Sequence, residues 1–268
     1  MIDNQGWIDY ANKVVSPNVS GQIIPQFIVM HYTASWRASG AIQTLSTRGT
    51  KVSAHIVIDT DGTTTQLVPF TTKAWHAGPS IYRGVKGLNS HSIGIEIVNP
   101  GYLKMVEGGF EDSNGRFHHA SKVQQTIKTK DPRVGTGSWH WPMYPRPQLE
   151  AVERLTKELI AMYDITDIVS HRQIDTRGWK TDPGPAFPMA HMRGLLSSAD
   201  ADAQTNVDFA SPLPVPRPPT PLAIDEPTDA PLVDVPQPDE RGHGHGAQNF
   251  FERIGHNLWH VYDDFRFW

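Results

Sequence analysis

Runs of apolar residues in the first half of the chain predict a sheet that is covered on both faces. Residues 26–31 and 92–98 are rich in isoleucine, valine and methionine, and short continuous apolar runs are typical of strands buried on both sides. Residues 53–59 and 63–68 show more alternation and flank the turn-forming sequence Asp-Thr-Asp-Gly, which predicts a hairpin. These segments are the predicted strands of a central sheet.

Two segments are predicted to be helical. Residues 39–47 form a short predicted helix, and residues 148–163 form the clearest one, with apolar side chains on one face and charged side chains off it. The second helix leads into an apolar run that ends at His171. This order of elements favours an α/β fold, in which a mixed central β-sheet is flanked by helices. Residues 101–147 lack such a pattern, and we expect a long surface excursion without regular elements.

The composition limits the chemistry that the chain can carry. Its 268 residues include no cysteine, so any metal must be held by histidine, aspartate or glutamate. The net charge is -4, but acidic residues concentrate after residue 200, and the mildly basic remainder is too unpatterned to indicate nucleic acid. No basic region followed by an apolar run begins the chain and no run approaches transmembrane length, so we expect a protein that is cytoplasmic as synthesised.

A loop rich in glycine and proline follows the strand that ends at His171. Residues 176–185 contain two glycines and two prolines, so they must fold as a shaped loop instead of continuing as a strand or helix. This loop brings Lys180 and Asp182 back towards His171. An imidazole and a carboxylate supply two of the three protein ligands of a catalytic zinc site, and the third must come from elsewhere.

Two further polar residues occur within the predicted buried strands. His31 ends its strand, which is where α/β sheets place their ligand chemistry, and a hydrogen-bonded core histidine is the alternative. Glu96 lies among isoleucines, and burying a carboxylate there is unfavourable unless the group is paired or its pKa rises. Glu96 is therefore either the partner of an arginine or a general base beside a cleft.

Trp75 and His76 precede a glycine in a predicted loop. An indole beside an imidazole is suited to line a groove for a sugar or a peptide. For His76, a structural hydrogen bond is the alternative. Both residues are candidate substrate-binding groups.

Five motifs in order carry a resemblance to a known family. They are Val-Met-His-Tyr-Thr-Ala at 29–34, Ser-Ala-His at 53–55, Trp-His-Ala-Gly at 75–78, Ser-Ile-Gly-Ile-Glu at 92–96, and His171 with Lys-Thr-Asp-Pro-Gly-Pro at 180–185. In this combination the chain resembles the type 2 N-acetylmuramoyl-L-alanine amidases. That fold is shared with amidase-type phage lysozymes and with the peptidoglycan recognition proteins. The resemblance covers roughly residues 22–196.

The resemblance implies a role for each polar residue of these motifs. It implies that His31, His171 and Asp182 bind zinc. It also implies that Glu96 accepts a proton and that Lys180 stabilises the transition state. Some branches have a tyrosine before the histidine of the second strand and a cysteine at the third metal position. Because this chain has Ala54 and Asp182 there, it resembles the branch of bacterial muropeptide amidases.

The implied activity is hydrolysis of the amide between N-acetylmuramic acid and L-alanine in peptidoglycan or muropeptides. The alternative is a non-catalytic peptidoglycan-binding module of the same fold. Such modules lack a metal ligand, whereas all three ligand positions and both catalytic positions are filled in this chain, so we expect an enzyme. Recycling, phage lysis and action as a delivered toxin stay open, and the last two would need release or non-classical export to reach the cell wall.

A change of composition near residue 200 predicts three segments. Residues 1–200 are the predicted zinc amidase domain. Residues 201–247 are a predicted disordered acidic linker, since ten prolines occur between 211 and 240. Residues 248–268 place apolar side chains at helical spacing, which predicts a C-terminal amphipathic helix. A helix of about 20 residues is marginal alone in water, so we expect it to dock on the enzyme, a partner protein or a membrane surface.

Overall fold

The computed structural model describes residues 1–123 and 125–198. Within these residues the strands are β1 (Asn12–Lys13), β2 (Val19–Gln22), β3 (Phe27–Tyr32), β4 (Ile56–Ile58), β5 (Thr64–Gln66), β6 (Thr72–Ala74), β7 (Ile81–Tyr82), β8 (Val85–Lys86), β9 (Ser92–Ile97), β10 (Lys104–Val106), β11 (Gly109–Glu111), β12 (Phe117–His119), β13 (Thr126–Asp131), β14 (Gly135–Pro142) and β15 (Asp167–Ser170). The helices are α1 (Ala38–Ser46), α2 (Arg146–Met162), α3 (His171–Ile174) and α4 (Met189–Ser198), with 3₁₀ turns at Leu88–Ser90 and Ala120–Lys122. None of these described helices has the length and apolar character needed to cross a membrane. The predicted linker and C-terminal helix lie outside the described residues.

A six-stranded mixed sheet forms the centre of the described chain, in the order β1, β5, β4, β9, β3, β15. Strands β15, β3, β9 and β4 run parallel to one another. Strand β5 is antiparallel to β4, and β1 is parallel to β5. The predicted mixed sheet and its hairpin are therefore confirmed, although β4 and β5 are shorter than the apolar runs that predicted them.

Side chains of this sheet alternate between two apolar layers. One layer contains Ile28 and Met30 of β3 with the isoleucines of β9, packed against α2 and α4. The opposite layer contains Val57 under α1, and Val29 with Val169. Because both faces are covered by apolar groups, these strands are apolar along most of their length, as the sequence predicted.

Helix α2 is joined to the sheet by its first turn. It begins at Arg146, two residues before the predicted start, and Pro147 is accommodated there because the first turn leaves backbone N–H groups unpaired in any case. The buried Gln148 side chain donates from Nε2 to the carbonyl oxygens of Ile58 (3.1 Å) and Val98 (2.9 Å). This polar contact aligns the helix with the ends of β4 and β9.

The region 101–147 contains regular structure, so the prediction of an irregular excursion is wrong. Strands β10, β11 and β12 form a small antiparallel sheet, and β13 pairs with β14 along a longer hairpin. These strands are exposed or half-buried at most positions and rich in lysine, threonine, histidine and glycine, and no alternating apolar pattern marks them. They are stabilised by backbone ladders and cross-strand pairs, which local sequence patterns do not reveal.

Candidate active site

His31 and Glu96 lie side by side near the carboxyl ends of the two central strands. The parallel register pairs His31 of β3 with Glu96 of β9, and the alternation of side chains directs both away from the layer that contains Met30. His31 Nδ1 is 3.9 Å from Glu96 Oε1. The two residues are only 1% and 2% exposed. The sheet therefore places a buried acid against a buried imidazole.

His171 is placed by the turn that joins β15 to α3. Ser170 and Gln173 form a capping box, in which Gln173 N donates to Ser170 Oγ (3.2 Å) and Ser170 N donates to Gln173 Oε1 (3.1 Å). His171 is the first residue of the helix that this box begins. Because β15 is the neighbour of β3, the His171 imidazole reaches the same sheet edge as His31.

Buried Asp175 organises the loop that follows α3. Its Oδ2 accepts the backbone N–H groups of Trp179 (2.9 Å) and Lys180 (3.0 Å), and its Oδ1 accepts from Arg177 Nε (3.0 Å). Burial alone would raise the pKa of Asp175, but these donors outweigh burial and lower the pKa to about 2. The carboxylate is therefore charged at neutral pH and fixes the backbone of Lys180.

The hairpin of β13 and β14 secures the same loop from the other side. Arg133, in the turn of this hairpin, donates from Nη1 to the carbonyl oxygens of Arg172 (2.8 Å) and Lys180 (2.7 Å). The backbone N–H of Arg172 donates in turn to the carbonyl oxygen of Asp182 (3.0 Å). Lys180 and Asp182 are thus held by a segment that the sequence did not connect with the site.

Three ligand atoms converge at the sheet edge. His31 Nδ1 lies 3.0 Å from both His171 Nδ1 and Asp182 Oδ2, and His171 Nδ1 lies 2.9 Å from Asp182 Oδ2. All three side chains are buried. Two imidazole nitrogens and one carboxylate oxygen are a donor set of catalytic zinc sites, which keep a further position for water. The cluster predicted from the sequence is therefore assembled, and its donors fit a zinc ion.

The local electrostatics favour the metal-binding forms of His31 and Asp182. Burial, with the neighbouring His171, lowers the pKa of His31 to about 4, so this imidazole is neutral at pH 7. Burial alone would raise the pKa of Asp182, but the charge interaction and the hydrogen bond with His171 outweigh burial and lower it. A neutral histidine and an ionised aspartate are the protonation states that metal binding requires.

Glu96 and Lys180 are the buried acid and the buried amine beside this cluster. Burial, with the charge of Asp182, raises the pKa of Glu96 well above its usual range. Glu96 Oε2 has no hydrogen-bond partner among residues 1–123 and 125–198. Burial lowers the pKa of Lys180, and the attraction of Asp182 opposes that shift. An acid and an amine at one site, each with a perturbed pKa, are typical of acid–base chemistry.

Residues 21–185 match the protein family described as N-acetylmuramoyl-L-alanine amidase. The chain belongs to this family. It is 29% identical over 219 residues to 1,6-anhydro-N-acetylmuramyl-L-alanine amidase AmpD of Escherichia coli K12, an alignment that spans 74% of this chain and 98% of AmpD. It is also 30% identical over 186 residues to N-acetylmuramoyl-L-alanine amidase AmiD of the same strain, spanning 66% of this chain and 55% of AmiD.

Solved structures of the amidase family extend the similarity to the fold. A crystal structure of a selenomethionine AmpD derivative superposes with a TM-score of 0.53 at 25% identity, over 73% of this chain and 99% of that one. The likeness covers nearly the whole of that smaller protein. The α/β architecture and the family resemblance predicted from the motifs are therefore confirmed.

A cleft of about 350 Å³, including space open to solvent, adjoins the cluster of His31, His171 and Asp182. Its lining residues are Tyr32, Tyr102, Arg133, Trp179, Lys180, Thr181 and Asp182. The sequence predicted Lys180 and Asp182 but missed Tyr102, Arg133 and Trp179. Trp179 is 56% exposed and the Arg177 guanidinium lies 4.3 Å from its ring centre. The position of Trp179 directly before Lys180 could have indicated from the sequence that it lies in the site. Tyr102 and Arg133 reach the cleft only through the tertiary fold.

Trp75 and His76 are not among the residues that line this cleft. His76 is 6% exposed, and its Nδ1 is 3.0 Å from His31 Nε2. His76 therefore makes the structural hydrogen bond that was the alternative to substrate binding. Trp75 is half-buried and donates from Nε1 to Ser20 Oγ (2.9 Å). Contact of these two residues with a substrate stays a prediction.

Proposed function

We propose that this protein is a zinc-dependent amidase that hydrolyses the bond between the lactyl group of N-acetylmuramic acid and L-alanine. One observation carries the proposal: His31, His171 and Asp182 meet beside Glu96 and Lys180 in a chain of the N-acetylmuramoyl-L-alanine amidase family. The relatives AmpD and AmiD are named for this bond. AmpD aligns over nearly its full length, which supports a muropeptide or a peptidoglycan strand as the substrate.

Nδ1 of His31, Nδ1 of His171 and Oδ2 of Asp182 would hold the metal. When bound, a zinc ion polarises the carbonyl of an amide and lowers the pKa of a water molecule to about 7. The chain supplies no thiolate, so its donor set is borderline in softness and suits zinc. All three side chains are buried, which limits the access of competing water to the cluster.

Glu96 would act as the general base and then as the general acid. Its carboxylate would accept a proton from the attacking water and return that proton to the leaving amine of L-alanine. The strand position of Glu96 fixes it beside His31, and its raised pKa brings it closer to the pH at which it must exchange protons. General acid–base catalysis of this kind typically contributes about 10²–10⁴-fold in rate.

Lys180 would stabilise the negative charge that develops on the amide oxygen. Its backbone is held by Asp175 and Arg133, and its side chain lines the cleft. An ammonium group held in advance at a water-poor site acts on the transition state without reorganising, and losing one such donor typically lowers kcat by about 10²–10³-fold. Arg133 and Trp179 in the same cleft supply a cationic and an aromatic surface for an anionic glycopeptide.

A product assay distinguishes this amidase from a binding module of the same fold. The full-length protein, loaded with one equivalent of zinc, is incubated with soluble anhydro-muropeptides and with intact sacculi, and the products are analysed by mass spectrometry. We expect free peptides with L-alanine at a new amino terminus, and none from a Glu96→Gln variant that binds the same zinc. Retention of peptidoglycan without new amino termini would favour the binding module and overturn the proposal. The comparison of the two substrates also decides between soluble and wall-bound material.

A further inference from the structure

A chain of polar contacts runs from a backbone carbonyl to His76. The Ser92 hydroxyl donates to the carbonyl oxygen of Leu88, with an oxygen-to-oxygen distance of 2.6 Å. A serine hydroxyl has one hydrogen, so Ser92 Oγ can only accept from His76 Nε2, which lies 3.4 Å away. The hydrogen of the His76 ring is therefore on Nε2.

The hydrogen bond between His76 and His31 determines the tautomer of His31. A neutral imidazole has a single N–H hydrogen, so a His76 ring that has this hydrogen on Nε2 has a free lone pair on Nδ1. That Nδ1 lies 3.0 Å from His31 Nε2, which must be the donor of this hydrogen bond. His31 then has its hydrogen on Nε2 and its lone pair on Nδ1, the atom that faces His171 and Asp182.

Packing locks the His76 ring in this orientation. A Cβ atom on Gly94 would lie 2.4 Å from His76 Cγ, so the strand must have glycine at that position. The His55 ring closes another side, with ring centres 5.7 Å apart at 71°. His55 is itself fixed by the backbone, because it accepts from Gly94 N at Nδ1 (3.0 Å) and donates from Nε2 to Thr72 O (3.0 Å).

We propose that His76 is a positioning residue that holds His31 in the tautomer and orientation in which Nδ1 faces the metal. The inference rests on the zinc site of the proposed function, but it does not depend on which bond the enzyme cuts. Hydrogen-bonded partners of metal-binding histidines typically contribute about 10–100-fold to metal affinity. The positioning role of His76 also explains why residue 94 is a glycine, since a side chain there would occupy the space of the His76 ring.

Zinc affinity, measured by competition with a chromophoric chelator, tests the proposal without an activity assay. His76→Leu removes the acceptor, and we expect the zinc dissociation constant to rise about 10–100-fold. His76→Asn places Oδ1 near the position of Nδ1, and we expect it to recover most of that loss. His140→Leu is the matched control, because His140 is also buried but contacts Thr126 and Phe110 outside the cluster. We expect its zinc affinity to equal that of the wild type.

Nitrogen-15 NMR of the zinc-loaded wild-type protein tests the tautomer directly, whether or not the variants fold. We expect His76 to be neutral with its hydrogen on Nε2, and a scalar coupling across the hydrogen bond from His31 Nε2 to His76 Nδ1. A hydrogen on His76 Nδ1, or wild-type zinc affinity in folded His76→Leu, would overturn the inference. A protein that binds zinc as expected but releases no L-alanine peptides would overturn the proposed function and leave the role of His76 intact.

Discussion

Glu96 Oε1 lies 3.9 Å from His31 Nδ1, and the two residues are paired in the parallel ladder of β3 and β9. Both lie within extended strands of the central sheet, so backbone hydrogen bonds, and not a surface loop, set their separation. The acid is therefore held beside His31 before any substrate arrives. Such preorganisation is what makes a positioned general base effective.

Replacing Glu96 by glutamine tests this role at nearly constant shape. Because glutamine cannot accept the proton of water, we expect kcat for muropeptide hydrolysis to fall by about 10²–10⁴-fold. Zinc content should equal that of the wild type, since Glu96 is not one of the three ligand residues. Product formation followed by mass spectrometry, with zinc measured in the same sample, checks both expectations. An undiminished rate would exclude Glu96 as the base.

Replacing Lys180 by methionine removes the ammonium and keeps most of the side-chain volume. We expect kcat to fall by about 10²–10³-fold, because a charge that stabilises the transition state is lost, while KM changes less. Steady-state kinetics with a soluble muropeptide separates the two parameters. A rise in KM at unchanged kcat would mean that Lys180 binds the substrate and does not stabilise the transition state.

Asp175 should contribute to stability in a manner that depends on pH. Its folded pKa of about 2 lies below the ordinary value of 3.8, so the stabilisation is present above pH 4 and is lost as the pH falls towards 2. The shift corresponds to about 2 kcal/mol at neutral pH. We expect Asp175→Asn to lower Tm at pH 7, and the gap to the wild type to close as the pH approaches 2. A gap that is independent of pH would show that the charge of Asp175 is not the cause.

Arg133 links the hairpin of β13 and β14 to the loop that contains Lys180. Arg133→Lys keeps the charge but loses the planar guanidinium that donates to both Arg172 O and Lys180 O. We expect faster hydrogen exchange at residues 179–182 and a fall in kcat of about 10-fold, since small misplacements of catalytic groups are costly in rate. Arg116→Lys, at an exposed turn, is the matched control and should change neither quantity. Unaltered exchange in Arg133→Lys would contradict the link.

The central strands and helix α2 could be predicted from the sequence because their burial requires a hydrophobic pattern within each segment. Strands covered on both faces are continuously apolar, and α2 has an apolar face at helical spacing. Glu96 was recognisable as a candidate functional residue because burying an unpaired carboxylate among isoleucines is unfavourable. His31 and His171 were recognisable because they end buried strands, and their common site followed from the family resemblance.

The remaining parts of the site depend on contacts between distant segments. Strands β10 to β14 lack an apolar pattern because few of their positions are fully buried, and their pairing is decided by register and tertiary packing. Arg133 and Tyr102 therefore had no local signal that connected them with Asp182. The hydrogen bond between His76 and His31 joins residues that are 45 positions apart in the sequence, and the sequence could offer it only as an alternative to substrate binding.

Anomalous diffraction at the zinc edge from crystals of the zinc-loaded full-length protein tests the central claim most directly. We expect one strong zinc peak in contact with His31 Nδ1, His171 Nδ1 and Asp182 Oδ2, with Glu96 beside it and outside the coordination sphere. The peak should disappear in Asp182→Ala crystals grown and soaked in the same way. A zinc ion bound elsewhere, or no zinc at these three atoms at full loading, would mean that His31, His171 and Asp182 are not the metal site.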